Sequence, residues 1–107
     1  MMLRVVLSHA AERDLDDIYA YIAEHDSIQS ADQLVGALLD VCQALAHFPG
    51  RGNRPKELAR LVDEEIREAH LGPYRIVYEI ESRRIAILCV ADGRRDMQAL
   101  LQRRLLG

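Results

Sequence analysis

GPYRIVYEI, residues 72–80, and IAILCVA, residues 85–91, decide the fold of this chain. The first stretch places an apolar or aromatic residue at every second position, which is the period of a strand with one buried face. The second stretch is continuously apolar and predicts a strand that is buried on both faces. Ser82 and its charged neighbours predict the turn between them. The residues expected to share the buried face of the first strand are Tyr74, Ile76, Tyr78 and Ile80.

Three arginines lie close to these strands. Arg75 is in the first strand, and Arg94 and Arg95 follow the end of the second. If the strands are neighbours, the three guanidinium groups converge at one sheet edge. Because like charges repel, such an edge indicates an anionic partner. We therefore expect the function of the chain at this edge.

The arginines also dominate the charge distribution. Residues 1–48 carry two bases and eight acids, a net charge of −6, whereas residues 49–107 carry twelve bases and nine acids, a net charge of +3. Lys56 is the only lysine among fourteen basic residues. Arginine forms bidentate contacts with carboxylates and phosphates, so this usage favours specific recognition. A GC-rich genome, which exchanges lysine codons for arginine codons, explains the same composition.

Length and composition predict one domain over residues 1–107. No apolar run reaches the length of a membrane span and no charged leader precedes one, so we expect a soluble, cytoplasmic protein. Cys42 and Cys89 form no disulfide framework or metal motif, and we expect both as small, reduced core residues. No cofactor motif is present, and neither a cofactor nor a metal is expected.

The N-terminal half predicts a short strand and a helical hairpin. Residues 3–7 are a short apolar strand, and Ser8 is a favourable N-cap for the first helix. A break at residues 25–27 precedes a second helix, which Ser30 and Gln33 would open as a capping box. That helix would end at residues 49–50. The first helix has the apolar stripe Leu15, Ile18, Tyr19 and Ile22 and a polar face, expected to be solvated, of Glu12, Arg13, Asp14, Asp16 and Asp17. The second helix is expected to bury Leu34, Leu38, Val41, Leu45 and Phe48.

The remaining segments complete an α+β fold. Residues 51–55 are a loop, residues 56–62 are ambiguous with room for a helical turn, and residues 65–71 predict a strand. Asp92 or Gly93 would cap a short final helix. The fold class is therefore an N-terminal strand, a long α-helical hairpin packed on a small antiparallel sheet, and a C-terminal helix. The apolar stripe of the final helix is Met97, Leu100, Leu101 and Leu105.

This order of elements resembles the RelE/ParE superfamily of bacterial toxins over nearly the whole chain. The resemblance rests on the strand around Gly72-Pro73-Tyr74-Arg75-Ile76-Val77-Tyr78 and on the ending Gly93-Arg94-Arg95-Asp96. Residues 11–18 of the first helix, Tyr21-Ile22 and residues 45–49 also match. The long hairpin is similar to the ParE branch.

The resemblance implies the toxin of a type II toxin–antitoxin pair, which arrests growth until a cognate antitoxin, encoded beside it, binds as a hetero-oligomer. ParE-like toxins of plasmid stabilization systems inhibit DNA gyrase by binding and need no catalytic residues. The target-binding residues would be Arg67, Arg75, Arg94, Arg95 and Asp96. The antitoxin-binding residues would be Leu15, Ile18, Tyr19, Ile22 and Leu38.

Two other functions remain open. A RelE-like, ribosome-dependent mRNA endoribonuclease needs a base, an acid and cations, and Arg75, Arg94, Arg95 and His70 would supply them. Against this, Glu68 and its neighbours stand where ribonuclease members are rich in lysine, and residues 79–107 contain no tyrosine. The second alternative is an inactive toxin-fold protein that acts only in an antitoxin or repressor complex, with Arg75 and Arg95 in ordinary ion pairs.

Overall fold

A computed structural model of the chain describes residues 3–58 and 65–106. Two single 3₁₀ turns, Pro49–Arg51 and Lys56–Leu58, lie between the helical hairpin and the rest of the sheet. The second turn confirms the helical turn expected after residue 55, and the end of that ambiguous segment lies outside the described residues. The architecture is the expected α+β class. The elements in chain order are β1 (Arg4–Leu7), α1 (His9–His25), α2 (Ile28–Ala44), β2 (Ile66–Leu71), β3 (Tyr74–Ile80), β4 (Arg84–Asp92) and α3 (Met97–Leu106).

Within the described residues, the sheet has four strands in the order β1-β4-β3-β2. Strands β2, β3 and β4 form the expected antiparallel meander, in which Tyr74 is opposite Asp92 and Arg75 is opposite both Ala91 and His70. Strand β1 pairs in parallel with the first half of β4, so the complete sheet is mixed. Because β1 ends at Leu7, it covers only that first half of the β4 edge.

A bulge in β4 changes which face its side chains occupy. Val77 pairs with Cys89 and the next residue, Tyr78, pairs with Ile87, so Leu88 has no partner in β3. Before the bulge, Ile87 packs on the side of the helical hairpin; after it, Cys89 packs on the opposite side. Asp92, three residues after Cys89, consequently falls on the hairpin side.

Serine caps open both helices of the hairpin. The backbone N–H of Ala11 donates to Ser8 Oγ at 3.0 Å, as predicted. The predicted start of the second helix at Ser30 was wrong by one turn, because Ser27 is its N-cap and accepts the N–H of Ser30 at 2.9 Å. Ser27 has extended backbone dihedrals immediately after the break, so it is the first hydroxyl that fits the cap geometry.

Two predictions about element ends were also wrong. The second helix ends at Ala44, and Phe48, expected in its core, is 65% exposed because it lies beyond the last helical turn. The final helix is capped by Asp96, which accepts the N–H of Ala99 at 3.1 Å. Neither Asp92 nor Gly93 caps it, since Asp92 still belongs to β4.

The sheet separates two apolar layers. The layer under the helical hairpin includes Leu15, Leu38 and Tyr78, and the layer under α3 includes Val77 and Cys89. Tyr78 and both cysteines are buried, as predicted. The stripe of the final helix is confirmed, because Met97, Leu100 and Leu101 are buried in the second layer and Leu105 packs against it.

Burial raises the pKa of the thiols of Cys42 and Cys89 to about 11, so both are protonated at neutral pH. Within residues 3–58 and 65–106, no three histidine, cysteine, aspartate or glutamate side chains are placed to share a metal ion. No helix in this part of the chain has the length and apolar character of a membrane span.

Candidate binding surfaces

Arg75 lies in a cluster with two carboxylates, on the side of the sheet that faces α3. Its Nη1 and Nη2 donate to the two oxygens of Glu57 at 2.9 and 2.7 Å. Its Nε donates to Glu68 Oε2 at 2.7 Å. Only 12% of the Arg75 side chain is exposed. We call Glu57, Glu68, His70 and Arg75 the Arg75 cluster. The single positive charge of the Arg75 guanidinium is paired in it with two carboxylates.

The second carboxylate of the Arg75 cluster is held in place by further contacts. Glu68 is 4% exposed, and its Oε1 accepts Asn53 Nδ2 at 3.1 Å and lies 3.2 Å from His70 Nε2. The hydrogen bonds from Arg75 lower the pKa of Glu57 and raise the pKa of Arg75 itself. The guanidinium therefore stays charged and paired at every physiological pH.

Gly93 closes one side of the Arg75 cluster. A Cβ at this position would lie 2.7 Å from Cδ of Arg75 and 3.1 Å from the carbonyl oxygen of Pro73. The N–H of Gly93 also donates to that carbonyl at 2.7 Å. The absence of a side chain therefore lets the backbone pack directly on the Arg75 stem.

A cavity of about 530 Å³ lies on the other side of the sheet, between α1 and the end of β4. We call it the α1–β4 cavity. Its apolar wall includes Ile18 and Ile22 from α1 and Tyr74 from β3, and burial raises the pKa of the Tyr74 phenol. The full lining is Asp14, Asp17, Ile18, Tyr21, Ile22, Tyr74, Val90, Ala91, Asp92, Arg94 and Arg95.

Arg94 and Arg95 form the charged rim of the α1–β4 cavity. The Arg94 side chain is 80% exposed and pairs with Asp92, with Nε to Oδ1 at 2.9 Å and Nη2 to Oδ2 at 2.5 Å. This hydrogen bonding lowers the pKa of Asp92 to about 2. Arg95 is exposed, and its guanidinium has no hydrogen bond or ion pair with any residue in the described part of the chain. The rim therefore carries one uncompensated positive charge.

Asp14 was expected on a solvated helix face, and this prediction was wrong. Asp14 is 8% exposed. Its Oδ2 accepts the N–H of Val90 and Arg104 Nη1, each at 2.9 Å. Arg104 Nη1 also donates to the carbonyl of Leu88 at 3.0 Å. Asp14 and Arg104 thus form hydrogen bonds with backbone groups of β4 that lie beyond the end of β1. Together they connect α1, β4 and α3. Sequence spacing carries no signal for a contact over ninety positions.

The predicted antitoxin-binding residues divide into three groups. Leu15 is 7% exposed and Leu38 is fully buried in the core under the hairpin, so neither presents a surface to a partner. Ile18 and Ile22 line the α1–β4 cavity. Tyr19 is partly buried between the helices, where its hydroxyl donates to Asp32 Oδ1 at 2.9 Å. A period of 3.6 identifies the apolar stripe but does not separate its buried positions from its accessible ones.

The predicted convergence of three arginines at one sheet edge was also wrong. Arg75 belongs to the Arg75 cluster, whereas Arg94 and Arg95 lie at the α1–β4 cavity. Arg67 donates from Nη1 to the carbonyl of Gly52 at 3.0 Å, and Asp96 caps the final helix. The structure therefore brings Arg94 and Arg95 together with Ile18 and Ile22 at one cavity, whereas Arg75 and Arg67 are held in other contacts.

His70 is the exposed member of the Arg75 cluster, with 51% of its side chain accessible to solvent. A second, smaller cavity of about 360 Å³ opens there. The lining of this cavity includes the buried carboxylate of Glu68 as well as basic side chains, so the cavity has charges of both signs. Its lining residues are Asn53, Arg54, Lys56, Glu68, His70, Arg75 and Gly93.

A family model described as the ParE toxin of the type II toxin–antitoxin system parDE matches residues 5–97. Toxin ParE3 of Caulobacter vibrioides is 24% identical over 100 residues, which span 94% of this chain and 96% of that protein.

Two solved structures share the fold. The chromosomal ParDE toxin–antitoxin system from P. aeruginosa contains a chain that superposes with a TM-score of 0.72 at 19% identity, over 85% of this chain and 96% of that one. The toxin–antitoxin complex RelBE2 from Mycobacterium tuberculosis contains one with a TM-score of 0.61 at 22% identity, over 86% and 99% of the two chains.

Proposed function

The chain belongs to the ParE toxin family of type II toxin–antitoxin systems, and from this premise we propose that it arrests growth by binding DNA gyrase. A cognate antitoxin encoded by the adjacent gene binds the chain and neutralises it. The observation that carries this proposal is the exposed pair Arg94 and Arg95 at the rim of a cavity. Arginine at the edge of an apolar pocket is a common anchor in protein recognition.

The Arg75 cluster supports binding over phosphodiester cleavage. Stabilising the charge on a cleaved phosphodiester requires cations that face the substrate. The guanidinium of Arg75 instead donates to two carboxylates that come from the chain itself. A phosphate would have to displace Glu57 or Glu68, and a charged, buried pair resists such exchange.

One observation favours the ribonuclease as a second candidate. His70 is half exposed beside the smaller cavity, whose rim also includes Lys56. Histidine is the side chain that most often serves as a general base in catalysis. If His70 acts in this way, His70→Ala abolishes mRNA cleavage in translating ribosomes. The same substitution does not change the effect of the chain on gyrase supercoiling.

The test of the proposed function is a matched pair of double variants. Arg94→Ala/Arg95→Ala removes the arginine pair after β4, and Arg83→Ala/Arg84→Ala removes the pair at its beginning. We expect the wild-type chain and the second variant to arrest growth and to inhibit gyrase supercoiling. The first variant should lose about tenfold or more of its potency, because it loses two recognition charges.

Three outcomes would contradict the proposed function. Cut mRNA in translating ribosomes, with supercoiling unaffected, would replace it by the endoribonuclease. If cells grow normally while they express the wild-type chain as folded protein in good yield, the chain is not a toxin. The inactive toxin-fold protein would then be the hypothesis that stands. Equal loss of potency in both double variants would show that Arg94 and Arg95 have no specific role in binding the target.

A further inference from the structure

The two carboxylates that bind the Arg75 guanidinium are attached to the fold in different ways. Glu68 belongs to β2, where its backbone pairs with Asn53, and its Oε2 accepts Arg75 Nε at 2.7 Å. Glu57 belongs to the single 3₁₀ turn Lys56–Leu58. It reaches the guanidinium with one oxygen on each terminal nitrogen, at 2.9 and 2.7 Å. Glu68 is therefore fixed by the sheet, whereas Glu57 approaches from a turn outside it.

The contact between Glu57 and Arg75 has the geometry of a bound anion. Arginine binds carboxylate and phosphate ligands with two parallel N–H···O bonds from its terminal nitrogens, as it does here. Glu68 holds Nε and thereby fixes the plane of the guanidinium. The end of the guanidinium that Glu57 occupies is thus an oriented binding position for an oxyanion, filled by a side chain of the same protein.

The surroundings of this position favour phosphate as the ligand. Arg75 also lines the smaller cavity of about 360 Å³, together with Lys56 and His70. Lys56 is exposed, and its amine forms no hydrogen bond or salt bridge within residues 3–58 and 65–106. A carboxylate uses both of its oxygens on the two terminal nitrogens of arginine. A phosphate has further oxygens, which can accept from other donors that line the same cavity.

The charge of Glu57 closes this position to other anions. Glu57, Glu68 and Arg75 together carry one net negative charge, which repels an anion. Without Glu57, the remaining pair of Glu68 and Arg75 is neutral, and Lys56 beside it gives the cavity a positive charge. The presence or absence of one carboxylate therefore decides whether an anion is repelled or attracted.

We propose that Glu57 is an internal ligand, which keeps a phosphate-binding site on Arg75 closed. The site opens when the Lys56–Leu58 turn carries Glu57 away from the guanidinium, and a phosphate group then takes its place on the two terminal nitrogens. The pair Arg94–Arg95, on which the proposed binding of gyrase rests, does not line this cavity. Phosphate binding and gyrase inhibition can therefore succeed or fail independently of each other.

The test measures binding of inorganic phosphate to the full chain by isothermal titration calorimetry at constant ionic strength. Glu57→Gln removes the charge of the internal ligand with little change in shape. We expect this variant to bind phosphate about tenfold or more tighter than the wild-type chain, because a buried ion pair resists exchange. Phosphate should also raise its melting temperature, since a ligand of the folded state stabilises that state. The matched control is Glu81→Gln, which frees the exposed Arg84 from its own salt bridge. This control should bind phosphate as weakly as the wild type.

A second variant covers the case in which Glu57→Gln does not fold. Glu57→Asp keeps the charge but shortens the side chain by one methylene, so it weakens the two-bond contact with Arg75. We expect its phosphate affinity to lie between those of the wild type and Glu57→Gln. Adding Lys56→Ala to Glu57→Gln should weaken phosphate binding about threefold or more, because the cavity loses a cation.

A further titration distinguishes two sources of the phosphate group. A short single-stranded oligonucleotide that binds Glu57→Gln more tightly than inorganic phosphate would identify a nucleic-acid backbone as the ligand. Weaker binding of the oligonucleotide would identify a small phosphorylated molecule.

Three results would overturn the site. Folded Glu57→Gln that does not bind phosphate would show that Arg75 is not an anion site. Equal phosphate affinity in the wild-type chain and Glu57→Gln would show that Glu57 does not close it. Phosphate binding by Glu81→Gln as tight as by Glu57→Gln would show a general effect of any arginine that has lost its partner.

Discussion

Arg75 and the pair Arg94–Arg95 belong to adjacent strand ends, yet their charges are used in opposite ways. The Arg75 side chain is 12% exposed and is bound by Glu57 and Glu68, whereas that of Arg94 is 80% exposed. The first is a structural charge that holds a turn and two strands together. The pair Arg94–Arg95 instead lies at the α1–β4 cavity, where it is accessible to a partner. Residue type alone therefore does not separate a buried, structural arginine from an exposed one; the number of carboxylates bound to it does.

The difference follows from the side of the sheet on which each arginine lies and from the carboxylates that reach it there. Arg75 is opposite Ala91, on the side of the sheet that faces α3, where the carboxylates of Glu57 and Glu68 reach it. Asp92 is opposite Tyr74, on the hairpin side, and it directs Arg94 toward the cavity. The extra residue in β4 therefore sets the face of Asp92, and with it the position of the Arg94 side chain.

The largest effect expected from this comparison is on stability. Arg75→Met leaves the carboxylates of Glu57 and Glu68 without their common partner, in positions that are 10% and 6% exposed. Removal of one partner from a buried ion pair costs about 3–5 kcal/mol. We expect a loss of this order in the free energy of unfolding, measured by urea denaturation followed by circular dichroism. The double variant Arg94→Ala/Arg95→Ala should change it by less than about 0.5 kcal/mol.

The control for this prediction is Arg84→Met. The Arg84 side chain is 50% exposed and pairs with Glu81, so its loss should cost less than about 1 kcal/mol. If Arg75→Met proves as mild as Arg84→Met, the Arg75 cluster is not a structural network, and Arg75 returns as a candidate for target binding.

Much of the fold was predictable because it follows from local periodicity. The alternation over residues 74–80 and the apolar run over residues 85–91 predicted two neighbouring strands, and both are present. The cap at Ser8 was also correct, since it depends on one hydroxyl and three following residues. The parallel pairing of β1 was not predicted, because it depends on a contact between segments about eighty positions apart.

The candidate site was less predictable, for a physical reason. The sequence identified the correct residue types, but the bulge at Leu88 has no sequence signature and it changes the face of every later side chain in β4. The partners of Arg75 and Asp14 are likewise distant in sequence. The helical or strand period predicts that such charged residues are solvated, but an ion-pair partner from a distant part of the sequence allows them to be buried.

Asp14 offers the second test of whether a charge is structural or accessible. It accepts hydrogen bonds from Val90 and Arg104, whereas Asp17, one turn later on α1, is exposed. Asp14→Ala should lower the free energy of unfolding by about 2–3 kcal/mol, because the N–H of Val90 and the guanidinium of Arg104 lose a charged acceptor. Asp17→Ala should leave it within about 0.5 kcal/mol. Equal losses in the two variants, measured by urea denaturation, would contradict the assignment of Asp14.

Tyr78 tests the anchoring of residues 49–52 to the sheet with a smaller change. Its hydroxyl donates to the carbonyl of Pro49 at 2.7 Å and accepts the N–H of Gly52 at 3.2 Å. Tyr78→Phe leaves these two backbone groups unpaired, and we expect a loss of about 1–2 kcal/mol in the free energy of unfolding. Tyr21→Phe is the matched control, because Tyr21 is 60% exposed. An unchanged stability in Tyr78→Phe would show that water replaces the hydroxyl.

The smallest expected effect concerns the exposed pair at the cavity rim. The hydrogen bonds from Arg94 hold the pKa of Asp92 at about 2, below its ordinary value. In carboxyl-detected NMR, the midpoint of the Asp92 titration should therefore rise in Arg94→Ala toward its ordinary value of about 4, and stay below it because the backbone N–H of residue 94 still donates to Asp92. Arg95→Ala, which removes only a coulombic contribution, should move it less.

The corresponding pH dependence of stability has a definite sign. Because the folded-state pKa of Asp92 is depressed, the pair with Arg94 stabilises the fold fully above about pH 4, and this contribution is lost as the pH falls toward about 2. Screening by water at an exposed pair keeps its contribution small compared with that of Arg75. If Arg94→Ala altered the acid unfolding midpoint as much as Arg75→Met does, the division between a structural arginine and a presented one would not hold.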